Sequence, residues 1–519
     1  MFFDPTFPAE MFNLINELDS NKGCGPDHMS VDTVKKNIHN LSYILTEIFN
    51  RVISSGVYPE SLKIAKVIPV YKGGDKMDIG NYRPISMLSV FDKLLEKVLN
   101  RRINDFLIKH NFFNRYQYGF RSGIGTEIAL IETVDMIHEA LNDSQYMGAL
   151  FLDLKKAFDC IDHNILLEKL YRYGFRGTAH ELLKSYLLNR YQYVSINGKS
   201  SELNPVFTGV PQGSVLGPTL FLIFINDIFN LNLNGTIRLF ADDTSLFYRK
   251  KDLNGMQQIM QTDLVKLNEY FTCNMLFLNF SKTKFMIFQS ARKNLGSVDI
   301  NIIVMNRAIE QVNNYKYLGV ILDSKATWEN HIDHICKKIA PLVGYMRKLS
   351  YFIPTQVLRK IYSAYIHSRL AYAISVYGQS AKSRLIKVQT QQNKALKAVF
   401  RLPYLFSTRE LYTNVAIGIL PVLALNNLAI VTYVYKIISS PGNLFNSEFY
   451  SACHNYQTRY SHYLSKSIVR NEFGRKRVTY IGPLFYNKLP DSVKSSQNLL
   501  KFKMGVKDHY HSNISHYIL

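Results

Sequence analysis

The sequence has 519 residues, of which 47% are hydrophobic and 20% are charged, a balance that excludes collagen, a coiled coil and wholesale disorder. Lys and Arg number 62 against 40 Asp and Glu, so the formal net charge is +22, which indicates a polyanionic partner, either nucleic acid or anionic lipid. The chain is too long for one hydrophobic core, and we expect roughly two to four subdomains.

The cysteines and the apolar stretches narrow the choice of partner. The five cysteines form no CxxC pair, so neither a disulfide framework nor a cysteine zinc site is supported. The first residues lack the pattern of a secretory signal. The longest apolar stretch, residues 418–438, contains Asn426, Asn427 and Thr432 and predicts a buried helix rather than a membrane span. We therefore expect an intracellular protein that binds nucleic acid and has no membrane partner.

In the first third of the chain, apolar spacing predicts helices over residues 30–53 and 91–108 and a strand over residues 63–70. Turns follow the strand at residues 72–75 and 81–84. The second helix carries basic residues four positions apart on one face: Lys93, Lys97 and Arg101. Such a stripe is typical of a solvated helix face or of a contact with a nucleic-acid backbone.

The middle of the chain alternates strands with helices. Strands are predicted over residues 147–154, on both sides of an Asn197-Gly198 turn, and in a hairpin of residues 236–240 and 244–248. Helices are predicted over residues 165–188 and 219–229. Beyond residue 322 basic helices dominate, and the organisation after residue 404 is less clear.

Three carboxylates lie beside apolar segments, where burying a charge is unfavourable in free energy. Asp153 ends an apolar run, and Asp242 and Asp243 lie together at the tip of the predicted hairpin. An Asp-Asp pair alone is also typical of a plain tight turn. If the strand before Asp153 lies beside the hairpin, all three meet at a site suited to Mg²⁺, which prefers hard oxygen ligands. Two such ions about 3.5–4 Å apart can clamp the oxygens of a phosphoryl transfer.

The neighbouring motifs decide between a plain turn and a metal site. Residues 151–159 (FLDLKKAFD), 209–218 (GVPQGSVLGP) and 240–243 (FADD) together resemble the reverse transcriptase of a non-LTR, LINE-type retrotransposon of the jockey-like group. Further segments, in chain order, are similar to other blocks of that family: residues 22–27, 67–72, 81–86, 117–121, 278–284, 315–323 and 475–490. The resemblance therefore covers nearly the whole chain.

The resemblance implies an α+β, right-hand polymerase fold with fingers, a palm built on an antiparallel sheet, and a helical thumb. It divides the chain into an N-terminal extension (1–50), a reverse transcriptase domain of fingers and palm (51–322), a helical thumb (323–403) and a mostly helical C-terminal extension of unknown function (404–519).

The resemblance also implies roles for single residues. Asp153, Asp242 and Asp243 would be the catalytic carboxylates and the ligands of two Mg²⁺ ions, with Mn²⁺ as a substitute. The dNTP site would comprise Lys72, Arg83, Phe158 and Gln212, with the Phe158 ring excluding a 2′-hydroxyl. Lys282 or Lys284 would protonate the pyrophosphate, and the choice between them stays open. The template and primer contacts would be Arg121, Leu318 and Gly319.

Other acidic and metal-type groups are assigned structural roles. Asp159 and Asp162 are expected to cap or to form ion pairs. A zinc site at His331, His334 and Cys336 lacks a fourth ligand, and the set Cys453, His454 and His462 fares no better. No P-loop motif occurs.

The expected activity is RNA-directed DNA polymerisation on an RNA template with a DNA primer and dNTPs. About 20 residues precede the Gly25 loop, fewer than the roughly 50 of a small domain, so we expect no endonuclease domain, a 5′-truncated or separately encoded product, and a nuclease acting in trans. The expected location is the nucleus, at the site of integration. The rival hypotheses are a non-catalytic nucleic-acid-binding remnant and an enzyme that copies RNA into RNA; Phe158 argues against the second.

Overall fold

The computed structural model describes residues 1–290, 300–413, 418–439 and 464–519. The strands of this part of the chain are β1 (Ile64–Tyr71), β2 (Tyr82–Met87), β3 (Tyr146–Leu152), β4 (Arg190–Ile196), β5 (Lys199–Ser200), β6 (Asn204–Val206), β7 (Thr236–Phe240), β8 (Asp243–Lys250), β9 (Lys284–Phe288), β10 (Ile302–Val304), β11 (Arg307–Gln311), β12 (Asn314–Tyr317) and β13 (Val320–Asp323).

The α-helices of the same ranges are α1 (Pro8–Asn16), α2 (Val31–Lys36), α3 (Ile38–Ser55), α4 (Val90–Lys109), α5 (Thr126–Asn142), α6 (His163–Arg172), α7 (Thr178–Leu187), α8 (Leu216–Ile225), α9 (Leu253–Cys273), α10 (Glu329–Leu349), α11 (Thr355–Tyr362), α12 (Ser368–Ala371), α13 (Ile374–Tyr377), α14 (Lys382–Val399), α15 (Thr408–Thr413), α16 (Val422–Ser439), α17 (Glu472–Lys476), α18 (Val478–Tyr486), α19 (Asp491–Lys494) and α20 (Leu499–Ser512). The expected mixed α+β class is confirmed.

The largest sheet has the strand order β10-β11-β9-β3-β8-β7. Its neighbouring strands are antiparallel with one exception, because β11 runs parallel to β9. The expectation of an antiparallel sheet is therefore wrong at this pair.

Strand β3 is buried on both faces, which explains its continuous apolar run. Leu150 and Leu152 belong to the core formed with α9, whereas Ala149 and Phe151 belong to the core formed with α5. Gly148 allows α9 to approach closely, since a Cβ there would lie 2.7 Å from Sδ of Met256. The central strand thus holds its last residues rigidly between two cores.

Two smaller sheets flank the central one. The first has the order β2-β1-β4-β5, with β6 pairing to β4, and the second is the β12–β13 hairpin. Strands β1 and β2 are antiparallel, and β1 and β4 are parallel. The connection between β1 and β2 therefore lies at one end of its sheet, where Lys72 follows β1.

Two predicted helices are broken in the structure. The helix expected over residues 165–188 is two helices, α6 and α7, because Gly174 and Gly177 between them have φ angles of +94° and +58°. The helix expected over residues 30–53 is likewise divided at Asn37, which ends α2 and precedes α3. Apolar periodicity continues across both breaks, so it did not reveal them.

The basic stripe on α4 faces the N-terminal segment. Lys97 lies 3.6 Å from Glu17, and Arg101 lies 3.5 Å from Glu10 and 3.4 Å from Glu17. Lys93 is half-buried. The two acidic residues thus neutralise part of the stripe, which neither the solvated-face nor the nucleic-acid interpretation anticipated.

The helices after residue 328 form one core with the back of the central sheet. Residues of α10, α14, α16, α18 and α20 share this core with α5. Arg477 forms a buried ion pair with Asp135 of α5 at 3.4 Å, and it donates a hydrogen bond of 2.9 Å to Glu139. Residues 464–519 are thereby attached directly to the layer behind β3.

One helix of the described ranges, Val422–Ser439, is long and apolar enough to cross a membrane. Ile430, Val431 and Val434 are fully buried among neighbouring helices, and α16 packs on α18 and α20. This packing agrees with the buried helix that the sequence predicts.

Candidate active site

The ends of β3 and β8 place Asp153 next to Asp243. The two strands are antiparallel neighbours, and Leu152 pairs with Thr244 in the last position of the register. Asp153 follows β3 directly and Asp243 begins β8, so the same register brings these carboxylates side by side. Asp242 precedes Asp243 in the turn. The three carboxylates therefore lie in one neighbourhood.

The turn between β7 and β8 is a two-residue hairpin loop. Phe240 pairs with Asp243, which leaves Ala241 and Asp242 in the loop. Ala241 has a left-handed backbone with a φ of +57°. The buried side chain of Gln117 holds this conformation, because its Oε1 accepts a hydrogen bond of 3.1 Å from the N–H of Ala241.

The segment before α5 is fitted closely against the same turn. Oε1 of Gln117 also accepts a hydrogen bond of 2.9 Å from the N–H of Gly119. A Cβ at Gly119 would lie 2.3 Å from the nitrogen of Ala241, so no other residue fits there without displacement. Sequence reasoning missed the role of Gln117. The available signal was a polar residue beside a glycine in a family block.

Burial and mutual repulsion raise the pKa values of the hairpin carboxyls. Desolvation is the main cause that raises the pKa of Asp242, the charge of Asp153 adds to it, and the charge of Arg83 opposes it. Desolvation and the charges of Asp242 and Asp153 raise the pKa of Asp243 to about 6, although the side chain reaches solvent. A bound cation would relieve this repulsion.

Asp153 is held by residues that follow α9. The side-chain nitrogen of Asn279 donates a hydrogen bond of 2.9 Å to Oδ2 of Asp153, and the backbone N–H of Asn279 donates one of 2.8 Å to the carbonyl oxygen of Asp153. Nζ of Lys282 lies 3.7 Å from the same Oδ2. The contact from Asn279 was not predicted from the sequence.

The two candidate lysines have different surroundings. The Lys282 side chain is 69% exposed and remains beside Asp153. Nζ of Lys284 instead lies 2.5 Å from Glu310 on the neighbouring strand, and this side chain is 20% exposed. The structure thus brings Lys282 to the carboxylates and engages Lys284 elsewhere.

The carboxylates fit a divalent cation that keeps water and substrate ligands. Within the described ranges, no three side chains of His, Cys, Asp or Glu form a ready-made metal cage. Mg²⁺ is usually bound by one or two carboxylates together with waters and phosphates, so a complete protein cage is not required. The raised pKa values of Asp242 and Asp243 mark hard oxygen donors whose negative charge is only partly compensated, since Arg83 acts on Asp242 alone.

Phe158 presents an aromatic ring in the loop after β3. It is half-buried and stacks on Phe221 of α8, with centroids 4.5 Å apart and planes at 26°. The ring of Phe120 meets it edge-on, with centroids 6.3 Å apart and planes at 89°. Phe158 is therefore braced from two directions beside the strand end that carries Asp153.

Gln212 is fixed between two parts of the site. Its Nε2 donates a hydrogen bond of 2.7 Å to Oδ1 of Asp159, and its carbonyl oxygen accepts one of 2.7 Å from the N–H of Ser86. Gly213 has a φ of +126°, and a Cβ there would lie 2.7 Å from the carbonyl oxygen of Ser86. Asp159 thus orients Gln212, whereas Asp162 caps α6 as predicted.

The predicted phosphate-binding residues lie on the β1–β2 sheet. Arg83 pairs with Val70 across the two strands, its side chain is exposed, and its charge acts on Asp242. Lys72 is exposed, and its backbone N–H donates to the carbonyl oxygen of Asn81 at 2.8 Å. The structure shows an electrostatic connection to the carboxylates for Arg83 but gives none for Lys72.

The guanidinium of Arg121 is engaged within its own loop. It donates hydrogen bonds of 2.9 Å and 3.1 Å to the carbonyl oxygens of Asn114 and Gln117. Desolvation lowers the pKa of Arg121. These contacts stabilise the loop, and the predicted template contact remains a prediction.

Leu318 and Gly319 form the turn between β12 and β13. Their φ angles are +43° and +85°, which is the geometry of a two-residue hairpin loop with both residues left-handed. The hydroxyl of Tyr372 donates a hydrogen bond of 2.5 Å to the carbonyl oxygen of Leu318. The turn that was predicted to grip the primer is thus attached to the helices that follow.

The rejected metal candidates agree with a structural role where they are described. Nδ1 of His331 accepts a hydrogen bond of 3.3 Å from the N–H of Ile321, and the ring packs on Tyr377. Cys453, His454 and His462 lie outside the described residues.

A comparison with known protein families identifies a domain that contains the three carboxylates. Residues 71–322 match the profile of the family described as reverse transcriptase (RNA-dependent DNA polymerase). The chain contains a reverse transcriptase domain. All the carboxylates of the site lie within it. Reverse transcriptases generally use divalent metal ions and act on an RNA template and a primer.

Curated relatives extend the similarity beyond the reverse transcriptase domain. The chain is 30% identical over 415 residues to "RNA-directed DNA polymerase from mobile element jockey" of Drosophila melanogaster, covering 78% of this chain and 44% of that protein. The corresponding protein of Drosophila funebris is 31% identical, with 79% and 45% covered. The predicted resemblance to the jockey-like group is confirmed. The chain spans less than half the length of these relatives.

Solved telomerases are similar to the chain at a lower level. The telomerase of Candida albicans in complex with a TWJ fragment of telomeric RNA gives a TM-score of 0.40 at 12% identity, covering 76% of this chain and 64% of that one. Apo telomerase of Candida tropicalis gives 0.38 at 12%, with 78% and 72% covered. The assignment of the fold class therefore rests on the sheets and helices of this chain and not on these similarities.

Proposed function

We propose that the chain is the RNA-directed DNA polymerase of a non-LTR retrotransposon, which extends the 3′-hydroxyl of a DNA primer with dNTPs on an RNA template. The observation that carries this proposal is the meeting of Asp153 with the Asp242–Asp243 turn inside the reverse transcriptase domain. Carboxylates, a nearby arginine and an exposed lysine at one place suit a reaction on phosphate groups.

The three carboxylates would hold two divalent ions, Mg²⁺ or Mn²⁺ as a substitute, which when bound supply charge neutralisation at the attacking and leaving oxygens. Asn279 orients Asp153 through two hydrogen bonds, and Gln117 fixes the turn that carries Asp242. The chain therefore supplies preorganised negative charge, so little rearrangement is needed when the nucleotide arrives.

The remaining side chains would bind the nucleotide and move a proton. Arg83 offers a planar fork for phosphate oxygens, and Lys72 lies at the end of the adjacent strand. Phe158 would pack under the deoxyribose, beside Gln212. Lys282 is the better placed of the two lysines to give a proton to the leaving pyrophosphate, because Lys284 is paired with Glu310.

Primer extension tests the proposal directly. Purified protein is incubated with a DNA oligonucleotide annealed to RNA, with dNTPs and Mg²⁺, and the products are resolved by length. Addition of dNTPs on the RNA template supports a DNA-making enzyme. Efficient use of rNTPs in place of dNTPs would instead support an RNA-copying polymerase, and binding without extension would support a non-catalytic remnant.

We further propose that the described residues do not nick duplex DNA, and that a separate nuclease domain or protein supplies the priming end in the nucleus. Supercoiled plasmid incubated with the protein and Mg²⁺ should remain closed while an annealed primer is extended. Protein-dependent open circles that persist in the variant Asp242→Asn would contradict this part. A fluorescent fusion that stays outside the nucleus would contradict the location.

A further inference from the structure

Phe120 has an unusual backbone for an exposed aromatic residue. Its φ angle is +52°, in the left-handed region that bulky side chains rarely occupy. Its ring is 59% exposed, so core packing does not explain the conformation. Among the exposed aromatic residues of the described ranges, Phe120 alone has a positive φ. Strain of this kind persists where the surrounding structure enforces it, often at a functional site.

The residues on both sides of Phe120 are fixed independently of its ring. Gln117 accepts the N–H of Gly119, which is packed against the backbone of Ala241 in the carboxylate hairpin. On the other side, Arg121 donates to the carbonyl oxygens of Asn114 and Gln117. These contacts fix the backbone of Phe120, and with it the direction of its Cα–Cβ bond, relative to the hairpin of Asp242.

The ring is held against the predicted sugar-selecting residue. Phe120 meets Phe158 edge-on with centroids 6.3 Å apart, and the stack of Phe158 on Phe221 leaves Phe158 between two aromatic neighbours. Phe120 and Phe158 thus form a perpendicular corner, here called the aromatic corner, with part of the Phe120 ring still open to solvent. A flat ring and its perpendicular neighbour offer two walls to the C–H groups of a small sugar ring such as a deoxyribose.

We propose that Phe120 is a second specificity-determining residue for the incoming nucleotide: its ring forms, with Phe158, the corner against which the deoxyribose packs. This inference rests on the proposed polymerase function and adds a residue to its nucleotide site. Phe120 would both contact the sugar and prevent the Phe158 ring from tilting to admit a 2′-hydroxyl.

The variant Phe120→Gly separates the ring from the backbone. Glycine occupies the left-handed region without strain, so the fold should be retained with an unchanged melting temperature. We expect the KM for dNTPs to rise about tenfold with a much smaller change in kcat, and the ratio of ribonucleotide to deoxyribonucleotide incorporation to rise. Asparagine also tolerates this φ, so Phe120→Asn should behave in the same way. Phe120→Tyr keeps an aromatic ring and should have the wild-type KM and the wild-type incorporation ratio.

Two controls make the test specific. Phe352→Ala removes the ring of a residue that is 84% exposed in the turn after α10, and it should leave the KM and the ratio unchanged. Combining Phe120→Gly with Phe158→Val should give less than the sum of the two effects, because the rings form one corner. Unchanged KM and sugar selectivity in Phe120→Gly and Phe120→Asn would overturn the proposal.

A binding measurement in which no bond can form separates failure of this inference from failure of the polymerase proposal. With a dideoxy-terminated primer no bond forms, and binding of the next dNTP is read as stabilisation of the protein–primer–template complex against a competitor trap. Weaker stabilisation in Phe120→Gly than in Phe352→Ala supports the inference even if no extension occurs. Equal stabilisation in both variants overturns it.

Discussion

The side-chain amide of Asn279 donates a hydrogen bond of 2.9 Å to the carboxylate of Asp153, and the backbone of Asn279 binds the carbonyl oxygen of the same residue. Asp153 is therefore held at both its side chain and its main chain by a residue 126 positions away. Such a partner orients a metal-binding carboxylate and leaves its second oxygen available.

Asn279→Ala should lower the rate of primer extension about tenfold while leaving primer–template affinity unchanged, because it frees the Asp153 carboxylate without removing charge. Steady-state kinetics with varied Mg²⁺ checks this, and the required Mg²⁺ concentration should rise. Asn301→Ala, at an exposed position, is the matched control. A wild-type rate in Asn279→Ala would show that the hydrogen bond has no part in catalysis.

Asp242→Asn should abolish extension and leave binding of the primer–template nearly intact. In the proposed mechanism the carboxylate would supply charge for the phosphoryl transfer, whereas affinity for nucleic acid would come mainly from Lys and Arg on phosphates. A gel-based extension assay and a fluorescence anisotropy titration measure the two properties on one preparation. Extension at the wild-type rate would refute the assignment of Asp242.

Phe158→Val should raise ribonucleotide incorporation relative to deoxyribonucleotide incorporation, since the smaller side chain leaves room for one hydroxyl. Single-nucleotide incorporation with matched dNTP and rNTP measures the ratio. Phe277→Val, at an exposed position outside the aromatic corner, should leave the ratio unchanged. A constant ratio in Phe158→Val would contradict the steric role.

The raised pKa of Asp243, about 6, predicts two effects of opposite sign. Because protons compete with the cation for this carboxylate, the Mg²⁺ concentration needed for half-maximal extension should rise as the pH falls toward and below about 6. Without divalent ions, the contribution of Asp243 to stability is present below its unfolded pKa and is lost as the pH rises through about 6. The metal-free melting temperature of the wild type should therefore fall over this range relative to that of Asp243→Asn. Parallel melting curves would contradict the assignment.

Arg477→Met should destabilise the protein by about 3 kcal/mol, because it leaves the buried carboxylate of Asp135 without its charged partner and with only the hydrogen bonds from Thr479. Replacing both residues, as Asp135→Leu with Arg477→Met, should recover part of the loss. Thermal unfolding followed by circular dichroism gives the order of the three proteins. Equal melting temperatures in the wild type and Arg477→Met would show that the pair is dispensable.

The sequence was sufficient for the parts of the site that depend on local pattern. An apolar run ending in Asp153 and an alternating hairpin around Asp242 predict a strand end and a turn, and the family blocks indicate that they meet. The mixed α+β class was implied by the resemblance to the reverse transcriptase family. The division of the chain at residues 50, 322 and 403 stays a prediction.

Contacts between distant segments could not be predicted from local sequence patterns. Nothing local to Asn279 or Gln117 shows which backbone each will bind, because those partners are set by the packing of α9 and by the segment before α5. No local pattern shows that β9 pairs in parallel with β11 either. The helix breaks at Asn37 and Gly174 were not predicted for another reason, because apolar periodicity continues across a short interruption of a helix.

The attachment of residues 464–519 to α5 has a consequence for grafting the reverse transcriptase domain into another chain. The reverse transcriptase family profile ends at residue 322, yet the layer behind β3 is completed by α18 and α20 from the end of the chain. The segment that the family profile covers is therefore smaller than the unit that folds. A polymerase segment grafted between elements at its family boundaries would carry Asp153 on a strand whose rear layer is missing. Successful recombination should preserve the pairing of α5 with the tail from the same parent.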